Sequence, residues 1–179
     1  MVLGVDRIIK LIKEIKLIDK LGKRDLENPE GAGLDLRLGE IQKIEGDSFL
    51  GIDKRDTVNH ILVAKYDPAK SNSFLIKPGD FYLVKTIEVV NMPDNLVATV
   101  HPRSTLFRNG VWLLTTQVAP GYKGALNFGL KNMGNCNFEV ELGARIAHII
   151  FFEVSGKTAS YIGQWQGGRV TTEKEEKQV

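Results

Sequence analysis

The segment HPRSTLFRNG, residues 101–110, concentrates groups that handle anions. Arg103 and Arg108 bring guanidinium forks, Ser104 and Thr105 bring hydroxyls, and Gly110 permits a tight exit. Forked N–H donors, hydroxyls and free backbone amides are what a polyphosphate requires. The GxxxxGK[ST] pattern of P-loops is absent, and an ordinary surface turn carries the same residue types. A second segment, QVAPGYKGALNFGLKN (117–132), reads as a hairpin with Tyr122 at its tip. Such a hairpin holds a base or sugar against its backbone edges, or simply ends in an aromatic cap. A third, YIGQWQGGRV (161–170), interleaves Tyr161, Gln164, Trp165, Gln166 and Arg169 with glycines. Stacking and hydrogen-bonding side chains on a flexible backbone suit a tail that closes over a ligand, although a polar coil without a role has the same composition. From Pro102 to Asn132 there is no Asp, Glu or His. An acid or base for this region must come from elsewhere.

The elements that position these segments follow from periodicity. Residues 5–21 place Val5, Ile8, Ile9, Ile12, Ile15 and Leu21 at helical spacing among Lys and Glu, with Gly22 as a stop. No Trp or Phe anchors this helix to a membrane, so its apolar stripe is expected on its own domain. After Gly22 come short β-type runs at 34–44, 59–65, 73–77, 81–90, 95–102, 111–119, 125–132, 137–143 and 145–154. Many short strands separated by Gly, Pro, Asn and Asp predict an all-β barrel or sandwich. Leu34, Leu36 and Leu38 alternate with Asp35 and Arg37, so one face of that strand is buried. Trp112 lies in an apolar run and is expected in the core, whereas Trp165, in a polar glycine-rich stretch, suits stacking on a base.

With 179 residues the chain suits one domain, here read as 1–170, followed by a charged 171–179 tail expected to be disordered. A net charge of +2 gives no push toward nucleic acid. The single Cys136 excludes an internal disulfide and a multi-cysteine zinc site, and favours a reducing compartment. His60, His101 and His148 are too dispersed to argue a metal site. Without a spanning apolar run or a signal-peptide pattern, a cytoplasmic protein with no membrane partner is expected.

Together and in order, these segments resemble the dUTPase and dCTP deaminase superfamily, especially its archaeal-type members. GAGLDLRLG (31–39), HPRSTLFRNG, VAPGYKGALNFGLKN (118–132), GARIAHIIF (143–151) and YIGQWQGG (161–168) are similar to five motifs of that superfamily. The resemblance implies a distorted jelly-roll-like β-barrel with an N-terminal helix, assembled as a homotrimer with sites at subunit interfaces. It implies a pyrimidine deoxynucleoside triphosphate ligand, dUTP or dCTP, carrying Mg²⁺, with no resident metal. Carried over by motif position, Arg103, Ser104 and Thr105 handle phosphates, and Arg108 sits near the reacting group, so Arg108 and Ser104 are the catalytic candidates. Val118, Ala119, Gly121 and Tyr122 bracket the deoxyribose. His148 stands at a phosphate-contacting position, and Tyr161, Gln164, Trp165 and Gln166 close from the tail.

The same resemblance exposes two departures. The hairpin position at which dUTPases place a water-activating Asp is Ala119, and the position at which dCTP deaminases place a proton-shuttling Glu is Gly129. Neither residue can take a proton. Asp35, Asp94 or an acid of a neighbouring subunit are the candidate substitutes. The expected activity is dUTP hydrolysis to dUMP and pyrophosphate; the alternatives are dCTP deamination and a non-catalytic nucleotide-binding homologue.

Overall fold

The computed structural model describes residues 1–178. The elements, in order, are α1 (Val5–Ile15), β1 (Ile18–Asp19), α2 (Lys23–Glu27), β2 (Leu34–Glu45), β3 (Phe49–Leu50), β4 (Lys54–Asp56), β5 (Asn59–Lys65), β6 (Ser73–Ile76) and β7 (Phe81–Asn91). They continue with β8 (Leu96–Pro102), α3 (Ser104–Arg108), β9 (Val111–Leu114), β10 (Gln117–Val118), β11 (Lys123–Asn132), β12 (Phe138–Glu141), β13 (Arg145–Glu153), a 3-10 turn (Gln166–Gly168) and β14 (Glu176–Lys177). The architecture is all-β and jelly-roll-like with an N-terminal helix, as the sequence predicts.

The main sheet runs β10-β8-β13-β2-β7-β11-β9, with β1 added to β7 and β5 to β2. Its pairings are antiparallel. The long β2 is its axle: the first half pairs with β13 and the second with β5 and β7. Register shifts between Leu38 and Glu40 and between Ile41 and Gln42 bend β2 where it changes partners. Gly39 sits at that bend, where a Cβ would meet the Thr86–Ile87 backbone at 3.0 Å. The concave side collects Leu34, Leu36, Leu38, Ile41, Val84, Val90, Leu130, Ile149 and Phe151 into one core. At about 1.5–3 kcal/mol for each fully buried large apolar side chain, this cluster dominates stability.

The predicted strands between 34 and 154 are present within a few residues of their expected ends, except that the run expected as one strand at 111–119 divides into β9 and β10, which pair with β11 and β8 respectively. The helix is shorter than its periodicity suggests. Lys16 turns left-handed (φ 53°) and its N–H closes on Ile12 O, so the chain leaves the helix at Ile15. Ile18 and Asp19 then pair with Val90 and Val89, and Gly22 caps α2 rather than ending α1. Ile8 is buried, with Leu11 and Ile12 packed on the core, so the stripe faces its own domain. Trp112 is a correction: it is 55% exposed. On the edge strand β9, Val111 and Leu113 point inward, and the alternation turns Trp112 and Leu114 out.

Residues 171–178, expected as a loose charged tail, are held instead. β14 pairs with β4, and Thr171 and Thr172 hydrogen-bond the side chain of Thr57. Glu176 lies between Arg55 and Arg169 at 3.1 and 2.9 Å. The alternating charges that read as solvated coil are partners for cations on a hairpin distant in sequence. Among the described residues no helix is long and apolar enough to cross a membrane.

Candidate functional site

A cavity of about 750 Å³ lies between the β10–β11 hairpin, the inner face of β5 and β7, and the returning tail. Its lining includes Val118, Ala119, Tyr122, Tyr161 and Trp165. The second and third chemistry-bearing segments therefore converge, although residues 133–160 separate them in sequence.

The convergence has an identifiable cause at each contact. Gly121 takes φ 78° and has no Cβ, which would stand 2.9 Å from Ser160 Cβ, so the tail can cross the hairpin tip. There Tyr161 N–H donates to Pro120 O at 2.7 Å. Gln166 clips the hairpin from the other side: Lys123 N–H donates to its Oε1 at 2.7 Å, and its Nε2 donates to Gly121 O at 3.1 Å. Further on, Gly124 and Gly168 meet so closely that a Cβ at 124 would lie 2.5 Å from Gly168 N. Gly121 and Gln166 thus shape the site without lining the cavity. Gln164 also serves the tail, donating to Lys177 O.

Tyr122 is buried, not an exposed tip. Its hydroxyl donates to Ala125 O at 2.8 Å and its ring meets Tyr161 edge-on at 5.5 Å. Burial, with a smaller contribution from Tyr161, pushes its phenol up to about 12, so it is neutral at any working pH. Trp165 forms one wall, backed by the Arg55 guanidinium 4.3 Å from the ring centre. An aromatic wall with a cation behind it suits stacking against a planar base.

The cavity wall contains no carboxylate. Ala119 is one reason. Gly129 shows a second, because an added Cβ there would stand 2.9 Å from the ring of Phe81 and 3.3 Å from Leu114. Phe81 lines the cavity. An apolar ring thus fills the space a Glu at 129 would enter. Neither Asp35 nor Asp94 is on the wall. Asp94 is exposed and accepts from Ser160 Oγ, tying down the tail.

Asp35 is 2% exposed and takes Arg103 Nη1 at 2.8 and 2.9 Å, Arg145 Nη1 at 2.8 Å and His148 Nδ1 at 2.8 Å. Burial alone would raise its pKa, but the His148 hydrogen bond and the Arg103 and Arg145 charges hold it below the usual carboxylate range. A carboxylate this saturated is an anchor, not a base. It is nevertheless the centre of a cationic patch, since Arg24 Nη1 also lies 3.6 Å away. Arg103 and Arg145 use one nitrogen each there, and their side chains stay 31% and 35% exposed. Ser104, Thr105 and Arg108 project beside the patch on α3 and are exposed. None of Arg103, Ser104, Thr105, Arg108 or His148 lines the cavity of its own chain. The molecule thus carries an apolar, aromatic cavity and a separate cationic patch around Asp35, and none of Arg103, Arg145 and His148 lines the cavity.

Two polar groups on the wall escaped sequence reasoning. His60 and Asn127 both line the cavity, and His60 Nδ1 and Asn127 Oδ1 are buried without a partner. Asn127 Nδ2 faces the Gly168 and Arg169 carbonyls at 3.4 Å, which fixes the orientation of its amide. Desolvation pushes the His60 imidazole below its ordinary value, so it is neutral near pH 7. Spacing gave no sign of either role. An imidazole next to the apolar run Ile61–Ala64 is the one available signal.

Comparison with known proteins fits this geometry. A family model described as dCTP deaminase-like matches residues 2–154. A dUMP-forming dCTP deaminase of Dictyoglomus turgidum is 31% identical over 160 residues, covering 87% of this chain and 81% of its own. A probable deoxyuridine 5'-triphosphate nucleotidohydrolase of Methanothermobacter thermautotrophicus is 28% identical, covering 84% of this chain and 96% of its own. The 2'-deoxycytidine 5'-triphosphate deaminase of Agrobacterium tumefaciens shares the fold, with a TM-score of 0.64 at 19% identity over 84% of this chain. This chain covers 47% of that longer protein.

Proposed function

The chain belongs to the dCTP deaminase-like family, and on that premise we propose that it binds a pyrimidine deoxynucleoside triphosphate and hydrolyses dUTP to dUMP and pyrophosphate. The observation that carries this reading is the cavity enclosed by Val118, Ala119, Tyr122, Tyr161 and Trp165. Its size and aromatic walls suit a base and a sugar. The triphosphate goes to the cationic half-site, where Arg103, Ser104, Thr105, Arg108 and His148 supply donors. In this reading the two half-sites that meet on one ligand come from different copies, and the assembly is a homotrimer. The exposed Phe107, Trp112 and Leu114 beside α3 give such an assembly an apolar contact. Mg²⁺ arrives on the nucleotide; among the described residues no cluster of His, Cys, Asp and Glu is arranged to hold an ion.

Of the lining groups, His60 alone is an imidazole base, kept neutral by its burial, and we assign water activation to it. Deamination is disfavoured by Phe81 standing over Gly129. A non-catalytic binding protein is the second reading, favoured by the absence of a carboxylate from the wall. Incubation with Mg²⁺ and dUTP or dCTP, with products separated by ion exchange, decides among them. Release of dUMP from dUTP supports hydrolysis. Intact dUTP together with calorimetric binding supports the second reading. Uridine nucleotides formed from dCTP would overturn the preference against deamination.

A further inference from the structure

His148 occupies the middle of a row across three strands. On β13 it stands opposite Asp35 of β2 and opposite His101 of β8. Residues paired this way point to the same face of a sheet. Its Nδ1 lies 2.8 Å from Asp35 Oδ1. Asp35, held ionised by the His148 hydrogen bond and the charges of Arg103 and Arg145, only accepts hydrogen bonds. The proton of the neutral ring must therefore sit on Nδ1, and Nε2 must carry a lone pair. Nε2 makes no hydrogen bond among the described residues and is not one of the buried unpartnered atoms. Gly33 leaves that edge of the ring open, since a Cβ there would stand 2.5 Å from Nε2.

This fixed tautomer creates a mismatch. The neighbouring arginines offer N–H donors to an anion, but the neutral imidazole presents a lone pair to the same oxygen atoms. We propose that Asp35 is the positioning residue that makes His148 a phosphate donor only as the imidazolium, so that polyphosphate binding tightens as pH falls. Resting on the reading that triphosphate binds at this patch, the inference adds a regulatory property to that site. The groups facing His148 are Asp35 from β2, Arg145 from its own strand, His101 and Arg103 from β8 and its exit, and Arg24 and Asp25 from α2. His101 is the second imidazole in the row, and its glutamine variant serves as the control.

The test is the pH dependence of binding, measured by calorimetry between pH 5.5 and 8.5 with two Mg²⁺-loaded probes, the α,β-imido analogue of dUTP and inorganic tripolyphosphate. For the wild-type protein, affinity is expected to rise roughly tenfold from pH 8 to pH 6 relative to His148→Gln, since a charge-assisted hydrogen bond is worth about that factor. The glutamine variant donates at all pH values and reports the titration of phosphate itself. His101→Gln should keep the wild-type slope. Parallel profiles for wild type and His148→Gln would overturn the inference while leaving the site reading intact. A slope with tripolyphosphate but no binding of the nucleotide analogue would uphold it and overturn the nucleotide reading. Nitrogen-15 NMR of the free protein supplies an independent check: His148 should carry its neutral-state proton on Nδ1, and an Nε2-protonated ring would refute the mechanism without any ligand.

Discussion

A cavity suited to a nucleotide but lined by no carboxylate leaves its chemistry to the groups that remain, and among them His60 is the only neutral base. Replacing it with glutamine keeps the shape and removes the proton acceptor. Turnover of dUTP by His60→Gln is expected to fall by about 10²–10⁴-fold with KM little changed, the usual worth of a general base. A kinetic constant for the variant within threefold of wild type would remove His60 from the reaction. Phe81 makes a second point. Restoring a carboxylate by Gly129→Glu should destabilise the fold, because the new side chain enters at 2.9 Å from the Phe81 ring. Overpacking of this kind costs roughly 1–3 kcal/mol, and pairing the change with Phe81→Ala should recover most of it in urea unfolding. Asp35 has a sign that can be worked out. Its folded pKa is lowered, so its contribution is present above the unfolded carboxylate value and is lost as pH falls through the folded one. Asp35→Asn is therefore expected to cost about 3 kcal/mol at pH 7, with a smaller difference from wild type in acid. Little of this was legible in the chain. Arg103, Tyr122 and Trp165 announce themselves by type, but whether a cation meets a ligand or a buried aspartate depends on a strand 68 residues away.

At the scale of elements, legibility was high where a pattern is local and low where it is not. The alternation in LDLRLGEIQKI and the turn residues between strands mark β2 and its successors, because period-2 burial and turn chemistry are written within a few residues. The two-residue strands β1, β3 and β14 carry no such period and exist only because partners hold them. The tail follows the same logic. Its wall function depends on Arg55, which lies under Trp165 and pairs with Glu176, while Arg169 pairs with the same carboxylate. Arg55 is therefore the shared clasp of two tail segments. Arg55→Ala should free the tail without unfolding the barrel. The expected outcome is faster amide exchange over residues 161–178, nucleotide affinity lowered about tenfold or more, and a thermal midpoint shifted by only a few degrees. Unchanged exchange in the tail would show that the Gln166 clips suffice alone.

The whole molecule poses the question of whether the cavity and the cationic patch, separated within one chain, meet on one ligand. Gln117 of the cavity wall pairs with Thr99, and Arg103 lies four residues further along the same chain, roughly 13 Å away at the strand rise. The Arg108 side chain on α3 is exposed beside exposed Phe107, Trp112 and Leu114. A ligand shared between copies follows if one copy offers its cavity and the next its cations. Such sharing is testable by complementation. One variant, Arg108→Ala, disables the cationic half; another, Ala119→Phe, fills the cavity. Each alone should be inactive. When the two are unfolded, mixed in equal amounts and refolded together, a shared site needs an intact cavity from one chain and an intact Arg108 from its neighbour. Random assembly makes both intact in about a quarter of the sites, so about a quarter of wild-type activity should return. Sites built within single chains would stay dead at every mixing ratio, because each chain carries one defect. The ratio of recovered activity to subunit composition, followed across mixing ratios with assembly mass measured in parallel, therefore reads out directly whether the deoxynucleotide is held by one chain or between two.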